Sequence, residues 1–263
     1  MGFGGAMSDG YDLFKKQIKQ LSGINLDSYK ENQMKRRLDS LLVRNKLRDY
    51  HEYISLIKGD RSKLDEFVSF MTINVSEFWR NTEQWEILDR HILPGLIKDE
   101  GIKVWSAACA TGDEPYSLVM LLNKYLPLSK IRVLATDIDK QILQKAREGI
   151  YPAKSLKGLP YEFKSGFFKE TSPGMFSISE DIKRCVTFKE HNLLTDPYPI
   201  GCDLILCRNV LIYFTNEAKE GIYFNFNKAL NKGGILFLGN TEQILYPQEY
   251  NFTLISSFFY KKQ

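Results

Sequence analysis

The chain is poor in the groups that most enzymes use for covalent or metal chemistry. It has three histidines, His51, His91 and His191, and no H-E-x-x-H pair. Its four cysteines, Cys109, Cys185, Cys202 and Cys207, form no C-x-x-C. Reduced, buried thiols are therefore expected, with no metal site and no disulfide framework. No G-x-S-x-G turn presents a serine nucleophile. No run approaches the ~18 apolar residues of a membrane span, so direct membrane insertion is not expected. A secretory leader is not expected either, and the protein reads as cytoplasmic. Net charge is only +4, from 36 Lys+Arg against 32 Asp+Glu, which offers no broad basic face for nucleic acid. Proline is absent before Pro94.

What is present divides into two patterns. From about Tyr11 to Met71 everything reads as helix, without strand-like alternation, and a helical domain is placed at residues 8–75. The Gly-rich opening MGFGGAMSDG is left out of the fold. Within Tyr29 to Arg48 an apolar stripe runs through Met34, Leu38, Leu41 and Leu42 at helical spacing. Seven basic residues stand there against Glu31 and Asp39 (7 − 2 = +5). Lys35, Arg36, Arg37, Arg44 and Arg48 are candidates for docking something acidic, and the plainer reading is a solvated face. Phe70 to Arg80 joins this part to the rest, as a linker with Ser76 as a cap, and a helix is expected from Glu83 to Lys98.

From Lys103 onward strand and helix alternate, the mark of a parallel sheet. Strands are expected at Lys103–Cys109, Ile131–Ala135, Val186–Phe188, Asp203–Cys207 and Ile235–Leu238. Helices are expected at Pro115–Tyr125, Asp139–Glu148 and Asn216–Leu230, the last stopped by a glycine cap at Gly233-Gly234. Phe252 to Lys261 reads as a closing hairpin. Residues 151–184, rich in proline and glycine, interrupt the alternation as an insertion holding a small hairpin around Ser172-Pro173-Gly174.

The stretch KVWSAACATGDEP at 103–115 is a strand, a glycine turn and a helix start, with Asp113 and Glu114 where a helix N-terminus favours negative charge. Asp137 follows Gly112 by 25 positions (137 − 112), near the spacing at which an acid meets ribose hydroxyls. The second and third glycines of a dinucleotide loop are missing. Residues at the strand ends, Thr111, Gly112, Glu114, Asp137, Asn192, Leu193, Asn209 and Tyr213, supply carboxylates, amides, a phenol and apolar walls, and no usual nucleophile. Such a set suits a nucleoside without phosphates and a reaction whose reactivity belongs to the cofactor.

N-V-S-E-F-W-R at 74–80, V-W-S-A-A-C-A-T-G-D-E-P-Y-S at 104–117, A-T-D-I-D at 135–139, H-N-L-L at 191–194, C-R-N-V-L-I-Y-F at 207–214 and G-N-T-E at 239–242 resemble, in order and spacing, the chemotaxis receptor methyltransferases of the CheR family. The resemblance implies an α/β fold: a class I S-adenosylmethionine-dependent methyltransferase, Rossmann-like with a mostly parallel sheet, carrying an N-terminal all-helical domain and a small β-subdomain insertion. The catalytic domain would span 76–263, with the insertion at 151–184. Cofactor contacts would fall on Asn74, Ser76, Arg80, Glu114, Asp137, Asn192, Leu193, Asn209 and Val210. Arg80 and Tyr213 would line the methyl-transfer centre. The basic segment 35–48 would dock on the receptor's helical methylation region. Family members whose insertion grips a receptor-tail pentapeptide have a longer, Gly-rich loop. The loop here is the short Ser172-Pro173-Gly174-Met175, a departure from that pattern.

The implied function is transfer of a methyl group from S-adenosylmethionine to glutamate carboxylates of chemotaxis receptors, leaving S-adenosylhomocysteine and a methyl ester, by a monomer. The alternatives are a class I methyltransferase acting on another protein or on nucleic acid, and a non-catalytic receptor-binding scaffold. A nicotinamide-dependent oxidoreductase shares the strand–turn–acid logic but would want more glycine at the turn.

Overall fold

The computed structural model describes residues 5–98 and 101–263. Met1 to Gly4, part of the opening left out of the fold, lie outside the described residues. The rest of that opening is helical, since the first helix begins at Gly5. Contacts divide the chain into two units. One runs to Ile73 and includes Tyr213–Glu220; the other comprises Asn74–Ile212 and Gly221–Gln263.

The helical unit contains α1 (Gly5–Ser22), α2 (Glu31–Arg44), α3 (Tyr50–Gly59) and α4 (Arg61–Met71). Phe14, Ile18, Met34, Leu38, Leu41, Tyr53 and Phe67 fill its centre. Phe14 stacks on Tyr53 at 5.8 Å and meets Phe67 edge-on at 6.1 Å. Three members of the expected α2 stripe are buried, while Leu42, one position off the line, is half-buried. Asp49 and Asp60 start α3 and α4 by accepting from the N–H groups of Glu52 and Ser62 at 2.9 and 2.8 Å. Tyr213–Glu220 belongs here through its backbone: Tyr213 O accepts from Lys30 N, and Thr215 N donates to Ser28 O, each at 2.9 Å.

In the larger unit, α5 (Thr82–Ile87) continues through a π-helical turn at Leu88–Ile92 into α6 (Leu93–Leu96). Pro94 explains the widened turn, because its ring crowds the carbonyl four residues back. β1 (Lys103–Ala107), α7 (Asp113–Leu122), β2 (Arg132–Asp137) and α8 (Lys140–Glu148) follow. The insertion holds β3 (Ile150–Pro152), α9 (Tyr161–Phe167), β4 (Phe168–Ser172), β5 (Met175–Ile178) and α10 (Glu180–Lys183). The chain then returns as β6 (Val186–Glu190), β7 (Cys202–Cys207), α11 (Asn216–Ala229), β8 (Leu230–Leu238), β9 (Phe252–Ser256) and β10 (Phe259–Lys262).

The main sheet has the order β6-β2-β1-β7-β8-β10-β9 and the insertion the order β3-β5-β4. β6, β2, β1, β7 and β8 are mutually parallel; β10 runs antiparallel between β8 and β9. The central strands are nearly continuous apolar runs because both faces are covered, Val104 and Trp105 lying beside Leu204 and Ile205. β8 starts at Leu230, five residues earlier than expected. The glycines expected to cap α11 instead run within the strand, and the register against β7 shifts between Cys202 and Leu204. Strand order reverses at β1 and β7, so a crevice is placed at their carboxyl ends.

Candidate active site

β1 ends at Ala107, and the next residues alternate in hand. Ala108, Ala110 and Gly112 have φ of 63°, 47° and 88°. Two left-handed alanines store about 1–2 kcal/mol each and persist only where the surroundings fix them. Here Ala110 N donates to Asp137 Oδ2 at 2.9 Å, Cys109 N donates to Thr136 O at 2.9 Å, and the Tyr151 hydroxyl donates to Thr111 O at 2.7 Å. Gly112 is glycine for two reasons. Its φ is left-handed, and a Cβ there would sit 3.1 Å from both the Ala146 methyl and the Tyr116 ring.

Asp137 closes β2. Its Oδ1 accepts from Asp139 N at 3.1 Å, and its carbonyl accepts from His191 N at 2.9 Å, which sets Asn192 and Leu193 beside it. Burial pushes the Asp137 carboxyl up to about 6 against the pull of these N–H groups. Asp139, to which the sequence assigned no role, caps α8 through Gln141 N and Ile142 N and accepts from Asn74 Nδ2 at 2.7 Å. That bond draws the 74–80 segment to the end of β2. The same segment is held at Ser76 and Trp79. Ser76 donates to Asp113, and Trp79 N donates to the Ser117 hydroxyl at 3.2 Å. Asp113 is buried, its Oδ2 accepting from the Thr111 hydroxyl and its Oδ1 without a partner. Burial lifts its pKa to about 6, while the Thr111 and Ser76 hydroxyls hold it down.

Across the crevice, Glu114 Oε1 accepts from the Ser106 hydroxyl at 2.8 Å and Oε2 pairs with Arg208 Nη1 at 3.4 Å. Burial raises the Glu114 pKa, opposed by Arg208 and Ser106. Beyond β7, Asn209 takes φ 61°. Its N–H and those of Gly239, Leu211 and Ile212 all donate to Glu242, at 2.7, 2.8, 2.6 and 3.3 Å. Burial lifts the Glu242 pKa while these four donors lower it. A Cβ on Gly239 would lie 2.6 Å from Glu242 Oε2 and 2.7 Å from Asn209 N, so the turn admits only glycine. Val210 is half-buried and Leu193 buried. Arg80 is half-buried, and its Nη1 donates to Val75 O at 3.2 Å within its own segment.

The structure thus gathers Asn74, Asp137, Asn192 and Leu193 around the end of β2, Ser76 beside Asp113, and Arg80 and Glu114 around Arg208, with Asn209 and Val210 on the turn that Glu242 holds. Tyr213 falls in the segment grouped with the helical unit. The motifs C-R-N-V and G-N-T-E contained Arg208 and Glu242; a charged residue one position past the buried strand β7, and another four positions past β8, were the available signals.

The docking candidates differ among themselves. Arg36 is exposed. Lys35 pairs with Glu31 at 2.6 Å, Arg44 with Glu66 at 3.3 Å, and Arg48 Nε with Glu52 at 2.6 Å. Arg37 is turned inward. Its Nη2 donates to Phe70 O, its guanidinium lies 4.7 Å from the Phe70 ring, and its Nε is buried without a partner. Long side chains with buried stems do this at an apolar edge, which helical-wheel angles alone do not reveal.

The donor set fits S-adenosylmethionine. Two acids and several amides can accept from a ribose diol and an ammonium group, the walls are apolar, and the glycine-poor turn carries no cradle for a pyrophosphate. Comparison with known proteins agrees. Residues 74–259 match the family model described as CheR methyltransferase, SAM binding domain, and residues 9–72 match CheR methyltransferase, all-alpha domain. A chemotaxis protein methyltransferase of Listeria monocytogenes is 41% identical over 254 residues, covering 96% of this chain and 97% of its own. Those of Borreliella burgdorferi and Escherichia coli are 33% and 32% identical, covering 84% and 95% of this chain and 83% and 89% of their own. The chain belongs to the CheR methyltransferase family and is an S-adenosylmethionine-dependent protein methyltransferase of chemotaxis.

Proposed function

We propose that the chain methylates glutamate side chains in the helical methylation region of chemotaxis receptors, acting in the cytoplasm as a monomer. The observation that supports this most is the site's chemistry: carboxylates and amides gathered at the ends of β1, β2 and β7. Glu114, Asp137, Asn74, Ser76, Asn192, Leu193, Asn209 and Val210 would hold the cofactor. When bound, S-adenosylmethionine supplies a methyl group already activated on its sulfonium.

The chain's own residues then have little proton chemistry to do. A glutamate acceptor is ionised at neutral pH, with a reference pKa of about 4.3, so no general base is required. What is required is orientation of one carboxylate oxygen and exclusion of water. Arg80 has one N–H donor on Val75 and four more available for a carboxylate, through charge-assisted hydrogen bonds. Tyr213, two positions beyond Leu211, is proposed from its place in the motif to orient the second oxygen. Among the described residues, no helix is long and apolar enough to cross a membrane. The insertion's turn, Pro173-Gly174 with φ 75° at the glycine, is two residues long, which argues against a pentapeptide grip.

The deciding experiment incubates the protein and methyl-labelled cofactor with receptor-rich membranes. Base-labile label on receptor protein is expected, strongly reduced in Arg80→Ala and Tyr213→Phe variants that still bind S-adenosylhomocysteine. Label on RNA, or base-stable label on protein, would overturn the proposal.

A further inference from the structure

Arg208 stands one residue past β7, with 2% of its side chain exposed. Its Nη2 donates to Arg80 O at 2.7 Å, Asn81 Oδ1 at 3.1 Å and Gln84 Oε1 at 3.0 Å, and its Nη1 meets Glu114 Oε2 at 3.4 Å. The guanidinium lies 4.7 Å from the Phe237 ring and 5.7 Å from that of Trp85, and its Nε has no partner. A buried guanidinium with an orphaned N–H is costly, and an apolar residue of similar volume in such a place is often neutral or stabilising. Packing therefore does not account for an arginine here. Its contacts do. One arm reaches the acid that follows β1, and the other reaches the turn that carries Arg80, on which Trp79 and Asn81 are left-handed at φ 58° and 63°.

We infer that Arg208 is a positioning residue for methyl transfer, holding Glu114 ionised and fixed beside the cofactor while it pins the backbone of the Arg80 turn. This rests on reading the crevice as the cofactor site. The cofactor carries two cationic groups, a sulfonium and an ammonium, and a protonated Glu114 would offer neither of them a charge. The groups facing Glu114 divide in sign. Arg208 and the Ser106 hydroxyl favour its ionised form; Glu242 opposes it; Cys109 and Cys207 are buried thiols alongside, and Arg80 faces Arg208. Arg208 is thus the cation that opposes burial, and because it is paired it adds no net positive charge against a cationic ligand.

The test is the pH dependence of S-adenosylhomocysteine affinity, by calorimetry, in wild type, Arg208→Lys, Arg208→Gln and Glu114→Gln. In Arg208→Gln the acid limb that belongs to Glu114 should move up by about one to three pH units, the effect of losing an opposite charge on a carboxylate. Arg208→Lys keeps the charge without the fork. It should keep the limb and lose affinity evenly at all pH. Glu114→Gln should lose that limb and retain only the one from Asp137. Profiles for Arg208→Gln that run parallel to wild type would reduce Arg208 to a structural residue and overturn the inference. If the neutral variant does not fold, ¹³C titration of the Glu114 carboxyl in the wild type decides it: a midpoint below neutrality supports the inference, and one at or above neutrality overturns it. A wild type that binds no S-adenosylhomocysteine would instead refute the reading of the site itself.

Discussion

Glu242 Oε2 accepts from the backbone N–H of Asn209 at 2.7 Å, tying the turn after β8 to the turn after β7. With Gly239, Leu211 and Ile212 also donating to it, one buried carboxylate fixes both turns. Glu242→Gln tests how far the site depends on this. The amide is nearly isosteric, but its NH₂ faces N–H groups where an acceptor stood. Leaving buried donors unsatisfied costs about 1–3 kcal/mol each. A lowered melting temperature is expected together with weaker S-adenosylhomocysteine binding by calorimetry, while KM for the receptor stays near wild type. Unchanged cofactor affinity would show that the Asn209 turn holds its shape without Glu242.

Asp113 makes folding pH-dependent. Burial raises its folded-state pKa to about 6, above the 3.8 of a solvated aspartate. Between these values the folded state binds more protons than the unfolded state, so stability falls as pH rises through that window and levels off above it. Asp113→Asn keeps one oxygen for the Thr111 hydroxyl and removes the charge. It should be more stable than wild type at mildly alkaline pH, by at most about 3 kcal/mol on the scale of 1.36 kcal/mol per unit. The advantage should shrink as pH is lowered through about 6. Melting curves across that range check it; a loss of stability equal at every pH would count against the assignment.

Much of this was legible in the sequence. Strand–helix alternation pointed to a parallel sheet, and the position of polar residues after each strand singled out Glu114, Asp137, Asn192 and Asn209. Long-range partners were not legible. That Asp139 would reach back 65 positions to Asn74, or that Arg208 would bridge Glu114 and Arg80, depends on which strand ends become neighbours at the β1/β7 reversal. Register carries that information and local pattern does not. The glycines at 233 and 234 misled for a related reason: a glycine after a helix reads as a cap, and here the strand takes it up. On α2, spacing could not tell a solvated guanidinium at Arg37 from one folded onto Phe70.

That difference separates docking from stability in the helical unit. Arg36 is exposed and Arg44 keeps 63% of its side chain exposed. Charge reversal at Arg36 and Arg44 together should raise KM for receptor and leave cofactor affinity unaltered, with only a small fall in melting temperature from losing the exposed Arg44–Glu66 pair. The effect should fade as salt is added, because long-range attraction between exposed charges is screened. Arg37→Glu should instead lower the melting temperature, through the lost bond to Phe70 O and a charge left beside the apolar edge. A receptor KM that the Arg36/Arg44 double variant leaves unchanged would return the basic face of α2 to the role of solvated surface.

Asp137 is the most exacting test of the cofactor assignment, because both of its oxygens are already engaged. Oδ2 takes the N–H of Ala110 and Oδ1 that of Asp139, so the carboxylate is locked in orientation before any ligand arrives. Each oxygen retains a lone pair, and two vicinal hydroxyls of a ribose can donate to them. Asp137→Asn keeps the volume but turns one acceptor into a donor that confronts a backbone N–H. It should therefore be at least as damaging as Asp137→Ala, which only vacates the position. Either variant should weaken S-adenosylhomocysteine binding by about tenfold or more, the scale of one hydrogen bond to a charged group. In the wild type, affinity should fall as pH drops through about 6, where burial places the Asp137 titration, since the protonated acid loses its charge and one acceptor position. The alanine variant should show no such fall from this residue. Calorimetry at several pH values reads both effects. If Asp137→Ala binds as tightly as wild type, the ribose is held elsewhere, and the chain of bonds from Asn74 through Asp139 to Asp137 serves only to fasten the 74–80 segment.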